Sequence, residues 1–460
     1  MFALGAILLT NCTKPSGSLD EKLSRFINAK KLQAYALAQN SGTKIPPRVI
    51  ELFEAIRADD SAAAAKLFQK LDADRNAPPP LWEAAGDWLA ARIGTPPLFK
   101  NSWYGAAWEP IREAYWTYAL SRTWSSQRLK SIVHEITSVI GTNNIYFGGT
   151  DVGRFAVTAA MEDHELGRPC FVLTQNLLCD ASYRDYVITM FGSRLSIPTA
   201  ADFVEIYNDY IADAKRRQQS GTLGKNEQVV IDKSGAVGVR GPGAYWELTG
   251  RFVNAIAVKN TDREIYIEQS EPLFGLNRHL VPAGPIFRFS RIAFDRLPED
   301  AVQADRLYWS NLCGALLGDC ISEKTTFKEI CDFTGRVYVQ GETNEYKGDL
   351  AYLGERATQE YFSKMRLSTA DLYVWRCVKA SEVGDKTRMW TEALVAMKQA
   401  LALAPGSFET ATFVKNTLVD VRQYEDAVAI LEVCSALNPA NEHLLSEIHR
   451  IQQLASQALP

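Results

Sequence analysis

Asn144-Ile-Tyr-Phe-Gly-Gly-Thr-Asp-Val-Gly-Arg154 decides how this chain is read. Asn144 to Phe147 is a short strand-like run. Glycines 148, 149 and 153 permit a sharp turn, and Arg154 to Glu165 is patterned as a helix. Cys170-Phe-Val-Leu173 is a second short apolar run. Strand, tight turn, helix and strand outline a βαβ unit. Further along, Glu264-Ile-Tyr-Ile-Glu268 alternates as a strand, and Leu280 to Phe289 is extended. Val229-Val-Ile231 and Val237-Gly-Val239 suggest a hairpin, and Ala244 to Val258 a helix. Residues 141–300 are therefore expected to form an α/β core, Rossmann-like, with a largely parallel sheet. Ala200-Ala201-Asp202 offers an N-cap Asp, with Glu205 three residues on.

On either side the periodicity is helical. Residues 19–140 repeat apolar positions every three or four residues, broken at Pro46-Pro47 and Pro78-Pro79-Pro80. Aromatics crowd this region. Tyr115 and Trp116 are adjacent, so one face of a helix cannot hold both. Residues 301–460 are expected to be helical. Within about 387–455, Trp390 and Tyr424, Ala393 and Ala427, and Pro405 and Pro439 each stand 34 apart. That period and closing proline match tetratricopeptide-like repeats. Lys415 occupies a position where a small residue is usual.

Composition narrows the function classes. The 460 residues are 47% hydrophobic and 23% charged, which is globular usage. A net charge of −4 gives no electrostatic case for nucleic acid. After the first dozen residues no apolar run is long enough to span a membrane. Met1 to Cys12 reads as a lipoprotein-like signal with Cys12 as lipid acceptor and residues up to 18 as a tether. The alternative is a frayed start, or a start codon placed too late. The remaining seven cysteines form no Cys-x-x-Cys pair, and no zinc-like His spacing occurs, so no metal site or cofactor is expected. His164 reads as a solvated surface residue.

Candidate ligand-binding residues cluster at the glycine turn: Gly148, Gly149, Thr150, Asp151, Gly153 and Arg154. Backbone N–H groups there can hold an anion, and Arg154 can pair with a phosphate or carboxylate. Thr174, Gln175 and Asn176 follow the second strand and would project at the same sheet edge. Asp180, Tyr183 and Arg184 are nearby in sequence, and Glu268 and Glu271, which flank the end of the later strand, are candidates for the same rim. The competing reading is a structural turn, with Thr150 or Asp151 capping a helix. The spacing is neither a dinucleotide fingerprint nor a P-loop.

The series continues with Ile197-Pro-Thr199, Ile265-Tyr-Ile-Glu-Gln-Ser270, Asp305-Arg-Leu-Tyr-Trp309 and Ser363 to Arg376. Together with the glycine turn and Thr174-Gln-Asn176, it resembles the soluble tail of a bacterial membrane family related to transmembrane protein O-mannosyltransferases. The resemblance spans about residues 80 to 440. It departs at Val152, where a proline is common, and at Leu273-Phe-Gly-Leu276. It implies an extracytoplasmic α/β core with helical repeats. The family's membrane-embedded catalytic part has no counterpart here, so its activity is not carried over.

The expectation is a non-catalytic extracytoplasmic scaffold in the periplasm or envelope, linked to glycosylation machinery and meeting a protein or peptide at the repeats. Its only tie to a membrane would be a lipid anchor. The alternative is a carbohydrate- or nucleotide-sugar-binding module, or a glycosyltransferase-associated enzyme, taking a sugar or sugar-phosphate at Gly148 to Arg154. A cytoplasmic location is the alternative compartment.

Overall fold

The computed structural model describes residues 21–74, 105–162, 170–224, 226–231, 237–270, 273–318 and 321–458. Helix dominates, around one small sheet. The sheet contains β1 (Ile145–Gly148), β2 (Phe171–Thr174), β5 (Ile265–Ile267), β6 (Leu280–Ala283) and β7 (Ile286–Phe289), in the order β2-β1-β5-β7-β6. Strands β3 (Gln228–Ile231) and β4 (Val237–Arg240) form a separate antiparallel pair.

The sheet is mixed, which corrects the expectation of a largely parallel one. β1 pairs in parallel with β2 and β5, but β5–β7 and β6–β7 are antiparallel. The cause is local. Ala283 pairs with Ile286, so only Gly284 and Pro285 connect β6 to β7. A connection of two residues can only reverse the chain. Gly284 sits at φ +65°, a conformation that favours glycine.

Alternate residues of the central strands serve different cores. Ile145, Phe147, Ile265 and Ile267 pack against Phe203, Leu248 and Phe252. These come from α8 (Ala200–Gln219) and α9 (Pro242–Lys259), with Tyr183 and Tyr186 from α7 (Ala181–Phe191). Tyr146 and Tyr266 face the other way, in a core that includes Trp309, Tyr361 and Met365. Those residues belong to α10 (Glu299–Leu317) and α12 (Arg356–Lys379). Helices thus cover both faces, and β1 is buried along its whole length.

The start of α8 corrects a capping expectation. Thr199, not Asp202, is the N-cap, and Asp202 is the partner that completes the reciprocal box. The N-terminal helices α1 (Glu21–Asn40), α2 (Pro47–Arg57) and α3 (Ser61–Asp74) share a core with Trp108 and Tyr115 of α4 (Trp108–Thr123). Tyr115 stacks on Phe68, while Trp116 stacks on Phe155 beside the sheet. Two adjacent aromatics therefore bind α4 to two cores. Helix α5 (Ser126–Ile140) leads into β1, and α6 (Val157–Met161) follows it.

No strand occurs among the described residues after Phe289. Helices α11 (Phe327–Thr334), α13 (Val383–Leu403), α14 (Phe408–Asp420), α15 (Tyr424–Leu437) and α16 (Glu442–Ala458) complete the chain. The ends of α13 and α15, and the starts of α14 and α16, each lie 34 residues apart. Lys415 is buried in α14 and pairs with Glu447 of α16 at 2.9 Å. Its charge is matched two helices on, so the position need not be small.

Candidate functional site

The glycine turn is held from inside by a carboxylate. β1 and β5 run parallel, so their C-terminal ends meet, and Glu268 N donates to Phe147 O at 2.9 Å. Glu268 is fully buried. Its Oε2 accepts the backbone N–H of Gly149 at 2.8 Å and of Thr150 at 2.7 Å. Its Oε1 accepts the Thr150 hydroxyl at 2.8 Å and the Tyr361 hydroxyl at 3.0 Å. Thr150 Oγ1 in turn accepts the N–H of Gly153 at 3.0 Å. Four donors on one carboxylate compensate the burial of its charge.

This packing explains the glycines. A Cβ on Gly153 would collide with the Glu268 carboxylate. One on Gly149 would strike the Gln175 amide and the Glu268 carbonyl, and one on Gly148 would meet Gly153 O at 2.8 Å. Two tyrosines complete the surroundings. Burial and then the Glu268 charge push the phenols of Tyr361 and Tyr146 well above the ordinary value. Both stay protonated, so Tyr361 remains a donor to the carboxylate.

The other expected residues gather around the same edge. Arg154 donates through Nη2 to Asp151, through Nη1 to Asn176 Oδ1 at 3.2 Å, and through Nε to Thr150 O at 3.2 Å. Its guanidinium also lies over the Phe155 ring. Asp151 is half exposed and makes no side-chain cap bond. Thr174 N donates to Tyr183 OH at 2.5 Å, Gln175 Nε2 to Glu268 O at 2.7 Å, and Tyr245 OH to Asn176 O. Asp180 caps α7 through Ser182 N, and Arg184 donates to Leu178 O at 2.9 Å. Cys12, His164 and Glu271 lie outside the described residues.

The turn therefore has the donor arrangement of an anion site, and the anion is the chain's own Glu268. The Arg154 guanidinium, the expected partner of a ligand phosphate, is engaged by Asp151, Asn176 and a backbone carbonyl. Among the described residues no group of His, Cys, Asp or Glu is placed to hold a metal.

The rest of the motif series forms a buried polar frame that joins the sheet to the helices. Arg366 and Asp305, both with fully buried side chains, pair at 2.7 Å. Gln399 accepts from Arg366 Nε at 2.7 Å, and Tyr373 donates to Asp305 at 2.9 Å. Ser368 donates to Gln269 O at 2.6 Å, one residue past Glu268. Arg376 donates to Asn277 O at 2.9 Å and Phe294 O at 3.0 Å. Comparison of the chain with protein-family models, with curated proteins and with solved structures finds no match.

Proposed function

We propose that this chain is a non-catalytic interaction scaffold. Its α/β core is a fixed platform of Rossmann-like type, and its last four helices are tetratricopeptide-like repeats that receive a protein or peptide partner. The observation that carries this reading is the occupation of the Gly149 and Thr150 N–H groups by Glu268. Donors already bonded to a buried carboxylate are not available to a ligand phosphate. The polar frame from Glu268 through Tyr361 to Arg366 supports the same view, because it fixes α12 on the sheet and gives the repeats a rigid base.

The compartment we propose is extracytoplasmic, with lipidation at Cys12 and a place beside envelope glycosylation machinery. This rests on the sequence resemblance and the leading apolar segment. Photo-crosslinking tests the reading. A crosslinker at exposed Asn416 in α14 or Leu445 in α16 should give a discrete adduct in the native envelope, and one at Asp151 should give none. An adduct from Asp151 alone, or a thermal shift with a nucleotide-sugar that Arg154→Ala abolishes, would favour the ligand-binding alternative.

A further inference from the structure

A second surface feature lies away from the glycine turn. A groove of about 350 Å³ runs between α8, α9 and the turn at Gly275 to His279. That size is at the lower end of the roughly 300–1,000 Å³ that holds small ligands. Its floor includes Gly250, in the middle of α9. A Cβ on Gly250 would meet only Leu276 Cγ, at an ordinary 3.5 Å, and its backbone is regular helix. Neither packing nor conformation requires glycine here, and glycine weakens a helix interior relative to alanine. Its absent side chain leaves the helix backbone as part of the groove lining.

The walls are mixed in polarity. His279 Nδ1 is 2.7 Å from Ser290 O and so carries a proton, which leaves Nε2 as the remaining ring position. The imidazole is stacked on Phe289 and fixed in place. Glu247 uses Oε1 to accept from Arg251 Nε at 3.1 Å, while its Oε2 lies beside Gly275. Asn254 presents an exposed amide on the same rim. Ile206 supplies half-buried apolar surface, and the buried Leu276 closes the base.

The charge arrangement selects among ligands. Arg251 lies between Glu247 and Asp213, donating to both, and Asp209 is exposed nearby. A phosphate would meet these carboxylates and find its one guanidinium already paired. We propose that this groove binds a neutral polyhydroxylated ring, that is, a sugar residue. Its hydroxyls both donate and accept, as the walls require, and its C–H face rests on Ile206 beside the helix backbone at Gly250.

The test is titration calorimetry on the full chain with methyl α-D-glucopyranoside, methyl α-D-mannopyranoside and N-acetylglucosamine, with glucose 6-phosphate as the anionic contrast. At least one neutral sugar should bind saturably, and glucose 6-phosphate more weakly than that sugar. Gly250→Ala should weaken binding about tenfold, the scale of one methyl group in a fitted site, without lowering the melting temperature. Exposed Asn254→Ala should also weaken it, and Asp151→Ala should not. Binding of none of the three sugars, tighter binding of the phosphate, or unchanged binding in Gly250→Ala and Asn254→Ala would overturn the assignment.

Discussion

Glu268 Oε2 and the backbone nitrogen of Gly149 lie 2.8 Å apart, although 119 residues separate them in the chain. Through this contact the end of β5 occupies the turn that follows β1. Gly153 faces the same carboxylate, so Gly153→Ala should cost about 3 kcal/mol, the upper end for overpacked cores. The cost should fall sharply when Glu268 is also changed to Ala, because the collision partner is gone. A double-mutant cycle in urea would read this coupling. Additive costs would mean that Gly153 is needed for another reason.

The Asp305–Arg366 pair predicts an asymmetry. Removing one partner leaves the other charge buried, so Arg366→Met should cost about 3–5 kcal/mol. Replacing both, with Asp305→Leu and Arg366→Met, should recover much of the loss. Full recovery is not expected, since Gln399 and Tyr373 would then lack their partners. Denaturant unfolding of the two variants measures the difference.

Asp151 should matter little to stability. Asp151 is half exposed, and its bridge to Arg154 is a local i, i+3 contact that leaves Arg154 its bonds to Asn176 and the Thr150 carbonyl. Asp151→Ala should change unfolding free energy by less than about 1 kcal/mol. A circular-dichroism melt decides this.

Stability should carry a pH signature from Asp371. Burial pushes its carboxyl up to about 6. A carboxyl raised in the folded state binds its proton more tightly there than in the unfolded chain. Its favourable contribution is therefore complete below the ordinary value near 3.8 and is lost as pH rises through about 6. Asp371→Asn should raise the melting temperature at pH 8 and leave it unchanged at pH 4. The same increase at both values would assign the effect to something other than ionisation.

Much of the architecture is legible in local sequence. β1 and β2 stand out as short apolar runs because both faces of the sheet are covered, and the 34-residue spacing recurs in the helix ends of the C-terminal region. The β6–β7 hairpin is less legible, since Pro282 and Pro285 interrupt the pattern and the reversal depends on Gly284 alone. Thr199 was available as a cap, but Ala200-Ala201 placed before Asp202 imitates a later start. The purpose of the glycines is hidden for a different reason. It depends on the parallel register that brings Glu268 beside Gly149, and on Tyr361, which lies 93 residues beyond Glu268. Local periodicity carries no information about such pairings.

The most direct measurement is the melting of Glu268→Ala in increasing formate, with chloride at matched ionic strength as control. Removal of the carboxylate leaves two peptide N–H groups and two hydroxyls buried without their acceptor, which should cost at least about 3 kcal/mol. Formate should enter the vacated space and restore stability saturably, as any ligand of the native state does, whereas chloride should not. A variant that melts like the parent chain, or one that formate helps no more than chloride, would contradict the assignment of Glu268 as the anion that fills the turn.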